Sequence, residues 1–241
     1  MYSKLKNTFG WFGAAKVLLG HLLKFKVISV GLKDFKTTIK FRPYTGDFAT
    51  IRQVIWAEEY NLDLPNDPEY IIDLGANIGI SSLALSHKFS KAKIIALEPD
   101  TKNFGLLNYN TRQFKDIIKL NNAIWIKNEL VSLENPKEQT NSFIFKKTDK
   151  AGNTNTVQAI TISSLMEKYN IKKINLLKVD IEAVEKELFL QGDNQWLNKV
   201  DFISIEFHDP KVEKAISELL KSMNFIESKK GEKRLYRNML V

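Results

Sequence analysis

The sequence predicts a doubly wound α/β domain, a mostly parallel sheet with helices on both faces. Three observations carry this expectation. From about residue 68 the chain alternates short apolar runs with stretches of helical periodicity. The first run leads into DLGANIG, residues 73–79, a glycine-bearing turn of the kind that such sheets place at their ligand crevice. The closing stretch FIESKKGEKRLYRNML reads as two strands around a Lys-Gly turn, an antiparallel finish to a parallel sheet.

Residues 1–45 are expected to form an N-terminal extension of helix and strand, and 46–241 the main domain. In the extension Leu5, Phe9, Phe12, Ala15, Leu19 and Leu22 recur at helical spacing, with lysines on other faces. Such a stripe either packs on its own domain or lies on an anionic membrane. Lys16, His21, Lys24 and Lys26 interrupt it, so no run is long enough to span a bilayer.

In the main domain Ile71–Leu74 reads as a buried strand, Ile80–Phe89 as a helix and Lys93–Leu97 as a second strand. Asn103–Phe114 follows as a helix and Ile117–Leu120 as a third strand. Residues 127–160 break the rhythm with turn residues around short runs such as Ser142–Phe145, a β-rich excursion expected on the sheet edge. The alternation resumes with strand Asn175–Val179, helix Val184–Leu190, strand Val200–Phe207 and helix Lys211–Met223. With the final hairpin, seven strands result.

Composition narrows the function. A chain of 241 residues that is 44% hydrophobic and 27% charged can bury a core without staples. The absence of cysteine excludes disulfides and thiolate metal sites and fits a reducing cytoplasm. A net charge of +8 suits an anionic partner, but the lysines are scattered along many segments, as on an ordinary solvated surface.

The turn itself indicates a cofactor. Gly75 permits backbone angles that a side chain resists, Gly79 permits close helix packing, and exposed N–H groups around Ala76 and Asn77 favour an anionic tail. A dinucleotide fingerprint needs a glycine where Ala76 and Asn77 stand. NAD-linked chemistry is therefore disfavoured, and the spacing suits the methionine portion of S-adenosylmethionine, with Asp73 facing its ammonium group. In ALEPD, residues 96–100, Glu98 at the second strand's tip can accept both ribose hydroxyls.

Two further strand tips carry acids and an imidazole. LLKVDIEAVEKELF places Asp180 and Glu182 at one tip with Glu185 at the following helix start, and FISIEFHDP places Glu206, His208 and Asp209 at the next. Methyl transfer to a hydroxyl requires its proton to leave, and His208 has a suitable intrinsic pKa to take it. A divalent metal held by Asp180, Glu206 and His208 is an alternative route. Asp180-Ile181-Glu182-Ala183 stands where nucleobase amine methyltransferases carry an Asn/Asp-Pro-Pro-aromatic stretch, which disfavours that chemistry.

YIIDLGANIG, ALEPD, LLKVDIEAVEKELF and ISIEFHD, with the leading segment FRPYTGDFATIRQVIWAEEY, together resemble the FkbM family of S-adenosylmethionine-dependent methyltransferases over residues 40–240. The resemblance implies a class I methyltransferase (Rossmann-like) fold and O-methylation of a carbohydrate, glycoconjugate or related metabolite. Asp73, Gly75, Ala76, Asn77, Gly79, Glu98 and Asn122 would hold the donor, with Asn122 at the adenine, and Asp180, Glu182 and His208 would position and deprotonate the acceptor. Arg42, Asp47, Glu59 and Tyr60 fall on recurrent positions of the leading segment, closing over the cofactor or serving as scaffold. Ala183 and TISSL, residues 161–165, depart from the family pattern. The competing readings are an RNA methyltransferase and a non-catalytic cofactor- or glycan-binding module. The expected acceptor is a small molecule or glycan and not nucleic acid, and the expected location is the cytoplasm, with peripheral contact to the inner membrane face through the N-terminal segment.

Overall fold

The computed structural model describes residues 1–64, 67–134, 144–147, 156–181 and 184–240. Helix α1 (Tyr2–Leu22) leads into an antiparallel hairpin of β1 (Ile28–Leu32) and β2 (Thr37–Phe41), and α2 (Gly46–Ile51) continues as a π-turn, Arg52–Trp56. The main alternation then runs β3 (Tyr70–Leu74), α3 (Ile80–Lys88), β4 (Lys93–Leu97), α4 (Thr101–Asn110) and β5 (Ile117–Leu120). Next come β6 (Ala123–Ile124), β7 (Leu130–Glu134), β8 (Ile144–Lys147), β9 (Thr156–Ile160) and α5 (Ile162–Lys168). The last elements are β10 (Leu176–Val179), a π-helical segment Glu187–Gln191, β11 (Phe202–Glu206), α6 (Pro210–Ser222), β12 (Phe225–Lys230) and β13 (Lys233–Asn238).

Seven strands form one sheet in the order β12-β13-β11-β10-β3-β4-β5, five of them parallel and the terminal hairpin antiparallel. The chain travels outward from β3 to β5 and returns to β10 beside β3. Strand order therefore reverses between β3 and β10, and a crevice opens there beyond the strands' carboxyl ends. Strand alternation splits the core: Ile71 and Ile94 join the cluster on one face, Ile72 and Ile95 that on the other. Leu5, Phe9, Ala14 and Val17 of α1 belong to the first cluster, so the extension covers one face of the sheet.

Several expectations need correcting. The β-rich excursion does not extend the main sheet but forms a separate sheet, β6-β9-β7-β8; residues 142–143 of the expected strand lie outside the described residues. Helix α4 stops at Asn110 because the Thr111 hydroxyl and amide both bond to the Leu107 carbonyl and close the last turn. The short α5, which periodicity missed, starts where the Thr161 side chain caps Ser164 N–H. The N-terminal stripe is also divided. Leu5 and Phe9 are buried, whereas Phe12, Ala15, Leu19 and Leu22 face outward, since Gly10 at φ 75°, ψ 176° breaks the helical phase between them.

Register explains an otherwise costly feature. Lys178 lies in the middle of β10, fully enclosed, and is paired across the ladder with Asp73 of β3. Its ammonium sits 3.0 Å from Asp73 Oδ1 and donates to the carbonyls of Gly75 at 2.7 Å and Leu74 at 3.1 Å. Burial opposes that charge, but Asp73 and Asp180 outweigh it and raise the lysine pKa above its ordinary value. Asp73 is closed off in turn by the hydroxyls of Ser81 at 2.7 Å and Ser82 at 2.6 Å. Removing one partner leaves a bare buried charge, so Lys178→Met should cost about 3–5 kcal/mol in denaturant unfolding. Adding Asp73→Asn should recover part of the loss; full additivity of the two single losses would contradict the coupling.

Candidate active site

The crevice between β3 and β10 is lined by Gly75, Ala76 and Asn77, by Glu98, by Asp180, Glu206 and His208, and on its outer wall by Thr50, Gln53, Val54, Glu59 and Tyr60. Gly75 has φ +74°, and a Cβ there would lie 1.8 Å from the Asp180 carbonyl oxygen. The first glycine thus serves the contact between two strand tips as well as the turn. At Gly79, φ +85°, a Cβ would meet Leu107 Cδ1 at 2.7 Å, so the close packing it permits is against α4.

Glu98 is buried at the tip of β4. Its two oxygens accept from Asn77 N–H at 2.8 Å and Asp100 N–H at 2.9 Å. The Asn103 side chain also hydrogen-bonds to this carboxylate, which keeps acceptor capacity for a ligand hydroxyl. Burial pushes this carboxyl up to about 7, against the pull of those amides. Asn77 adds a buried side-chain oxygen without a hydrogen-bond partner among the described residues. A two-acceptor acid beside an unused amide oxygen fits the polar groups of a bound nucleoside.

The remaining expected donor residues are placed differently from one another. Asp73 does not line the crevice, because its carboxylate is enclosed by Ser81, Ser82 and Lys178. Asn122 donates to the Gln158 carbonyl at 2.8 Å, on the small sheet. Its neighbour Asn121 donates to the carbonyls of Glu98 at 2.8 Å and Pro99 at 3.0 Å and so braces the β4 tip.

At the other end of the crevice His208 Nδ1 lies 2.8 Å from Oε1 of the buried Glu185. A carboxylate only accepts, so the Nδ1 that faces Glu185 carries a proton. Asp180, Glu206 and His208 each bring one ligand-type atom within 4.8 Å of the others. Glu182 lies outside the described residues, as does Ala183.

Two lysines that the sequence reading passed over compensate these acids. Lys233, paired with Glu206 in the β11–β13 register, puts its ammonium 2.6 Å from Glu206 and 3.5 Å from Asp180, and Lys178 reaches Asp180 at 3.6 Å. Burial raises the Asp180 pKa, but Lys178, Lys233 and His208 together hold it below the ordinary value. Glu59 is 3.7 Å from Lys233, and its carboxyl is raised by burial. The signal for Lys178 was present: a lysine inside the apolar run LLKV of a buried parallel strand demands a counter-ion. Arg42 forks onto Asp47, both contacts 2.8 Å, and reaches Asn103 at 2.7 Å, a scaffold joining the β2 end to α4, whereas Glu59 and Tyr60 face the crevice.

Known proteins resemble this chain. Residues 73–237 match the Methyltransferase FkbM domain family. The hexuronic acid methyltransferase AglP of Haloferax volcanii is 30% identical over 162 residues, covering 65% of this chain and 65% of that protein. Methyltransferase 1 of Beauveria bassiana is 25% identical over 189 residues, covering 66% and 73%. The crystal structure of Methyltransferase FkbM from Methylobacillus flagellatus superposes with a TM-score of 0.53 at 16% identity, over 77% of this chain. This chain spans about half of that structure, 47%, and just under two thirds of AglP. With the match running over residues 73–237, more than half of its length, the chain belongs to the FkbM methyltransferase family.

Proposed function

We propose that the protein is an S-adenosylmethionine-dependent O-methyltransferase that deprotonates a carbohydrate or glycoconjugate hydroxyl with His208. The observation that carries this reading is the Glu185–His208 contact at the edge of the crevice. A base whose far nitrogen is held by a buried carboxylate is fixed in tautomer and orientation. The similarity to a hexuronic acid methyltransferase supports a sugar acceptor.

When bound, S-adenosylmethionine supplies the methyl group as an electrophile on positively charged sulfur. The chain's own part begins with Glu98, which accepts the ribose hydroxyls, and Asn77, whose side-chain oxygen accepts from the same ligand. Nε2 of His208 would take the proton of the acceptor hydroxyl, leaving its oxygen free to act as the nucleophile. The negative Glu185 stabilises the imidazolium so formed. Asp180, at the adjoining tip, accepts from a further acceptor hydroxyl. This reading needs no metal: a divalent ion among Asp180, Glu206 and His208 would have to approach two ammonium groups that already neutralise those acids.

The test is methyl transfer from labelled S-adenosylmethionine to a panel of uronic-acid and neutral glycosides. His208→Asn should lower kcat about 100- to 10,000-fold with the affinity for S-adenosylhomocysteine unchanged. Glu185→Gln should move the acid limb of the rate profile to lower pH, because the imidazolium loses its negative neighbour. Full activity in His208→Asn would refute the assignment.

Glu98 predicts a pH dependence of donor binding. With its carboxyl raised to about 7 in the free protein, it is mostly protonated at pH 6 and mostly ionised at pH 8. Ribose hydroxyls donate best to the carboxylate, so S-adenosylhomocysteine should bind about tenfold tighter at pH 8 than at pH 6. The sign for stability is opposite. A carboxyl raised on folding favours the folded state at low pH, and that contribution fades as pH rises from about 4.5 to about 7. Calorimetry on the wild type and Glu98→Gln checks both, and the variant should show a flat affinity profile.

A further inference from the structure

Helix α1 is apolar on two faces, and the domain covers one of them. The inner residues Leu5, Phe9, Ala14 and Val17 join the core. Beyond the break at Gly10, Trp11, Phe12, Ala15, Leu18, Leu19 and Leu22 fall at i, i+1, i+4, i+7, i+8 and i+11, one continuous helical face. All are exposed: Phe12 is 94% accessible, Leu22 75% and Trp11 62%. Leu23, Phe25 and Val27 extend the patch into the following turn. A surface of this size is larger than scattered apolar residues produce.

The charge around it is of one sign. Lys4, Lys6, Lys16, Lys24, Lys26 and Lys33 occupy this segment, and no Asp or Glu precedes Asp34. Lys16, Lys24 and Lys26 are exposed, and none of the six makes an ion pair with an acid among the described residues. Lys6 instead lies 4.4 Å over the Trp11 ring, and Tyr2 leans on the same ring at 6.1 Å. Aromatic rings at the border between apolar and charged groups suit a lipid interface.

We infer that the outer face of α1 docks the protein on an anionic bilayer, inserting Trp11, Phe12, Leu19 and Leu22 between lipids while the surrounding lysines meet acidic headgroups. The helix lies on the bilayer, since no helix among the described residues is long and apolar enough to cross it. A second copy is a poorer occupant, because a two-fold contact sets this all-positive rim against itself. The docking helix is rigidly joined to the crevice. Rings run Phe9–Phe41–Phe48–Trp56 at 6.2, 6.1 and 5.7 Å, and Trp56 Nε1 donates to Thr8 Oγ1 of α1 at 2.8 Å. Thr50, Gln53 and Val54 of that same stretch form the crevice wall.

The experiment is co-sedimentation of the full chain with vesicles of equal phosphatidylglycerol and phosphatidylcholine, against phosphatidylcholine alone, with tryptophan fluorescence read in parallel. Binding should be confined to the anionic vesicles, shift the emission to shorter wavelength, and weaken at about 1 M salt, where the Debye length is about 3 Å. The triple variant Phe12→Glu, Leu19→Glu, Leu22→Glu should bind at least tenfold more weakly while keeping wild-type circular dichroism and S-adenosylhomocysteine affinity. Trp11→Phe should bind but lose the emission shift. Equal binding by the triple variant, no binding by the wild type, or a lipid-free dimer that the triple variant abolishes would each overturn the inference.

Discussion

The buried row of alternating charges across the strand tips is the constraint that organises the rest of the molecule. Asp73, Lys178, Asp180, Lys233 and Glu206 come from four adjacent strands, and each lysine lies between acids. A buried ion is tolerable only when it is paired and its remaining protons are used. Lys178 meets both conditions by donating to the carbonyls of Leu74 and Gly75, and so fixes the backbone of the ligand turn from beneath. The terminal hairpin becomes part of the site for the same reason. It brings Lys233 opposite Glu206 and within 3.5 Å of Asp180, adding a second counter-charge to the one that Lys178 gives Asp180.

This arrangement separates two kinds of work. The charge row holds the strand tips and sets the local potential, with Asp180 and Glu206 open to the crevice, while Glu98 and His208 stand at its two ends. Glu98 stands at the β4 tip, beyond the row on one side, held by two backbone amides and the Asn103 side chain. His208 stands just past β11 on the other side, backed by Glu185 from the segment after β10. Gly75 also lines the crevice, and a side chain there would strike the Asp180 carbonyl.

Much of the fold was legible because a parallel sheet writes itself as short apolar runs separated by helices, and the β3, β4 and β5 boundaries follow those runs closely. The lining of the crevice was legible where a residue stands at a strand tip, as with Glu98, Asp180 and His208. It was not legible where direction matters. Asp73 lies one residue inside the end of β3 and Asp180 one residue past the end of β10, and Asp73 turns inward to Ser81 and Ser82 while Asp180 turns outward to the crevice. Only cross-strand register decides between them, and register is a property of pairs. Lys233 is a sharper case, since its partner Glu206 lies across a hairpin and a strand pairing that sequence separation conceals. Glu185 was visible as an acid at a helix start, but its contact with His208 depends on how two loops meet.

The N-terminal helix shows how one apolar pattern can be divided between two faces. Its apolar residues recur at helical spacing on both sides of Gly10, and nothing in the spacing reveals that the glycine resets the phase. With the phase reset, Leu5 and Phe9 point to the sheet and Phe12, Leu19 and Leu22 away from it. The inner half then has a job beyond covering the sheet, because its ring contacts run through Phe41 and Phe48 to the π-turn that walls the crevice. A rigid chain of aromatic contacts of this kind fixes the orientation of the crevice relative to whatever holds the outer face. Orientation of the open site and attachment of the helix are therefore one structural decision, made at Gly10.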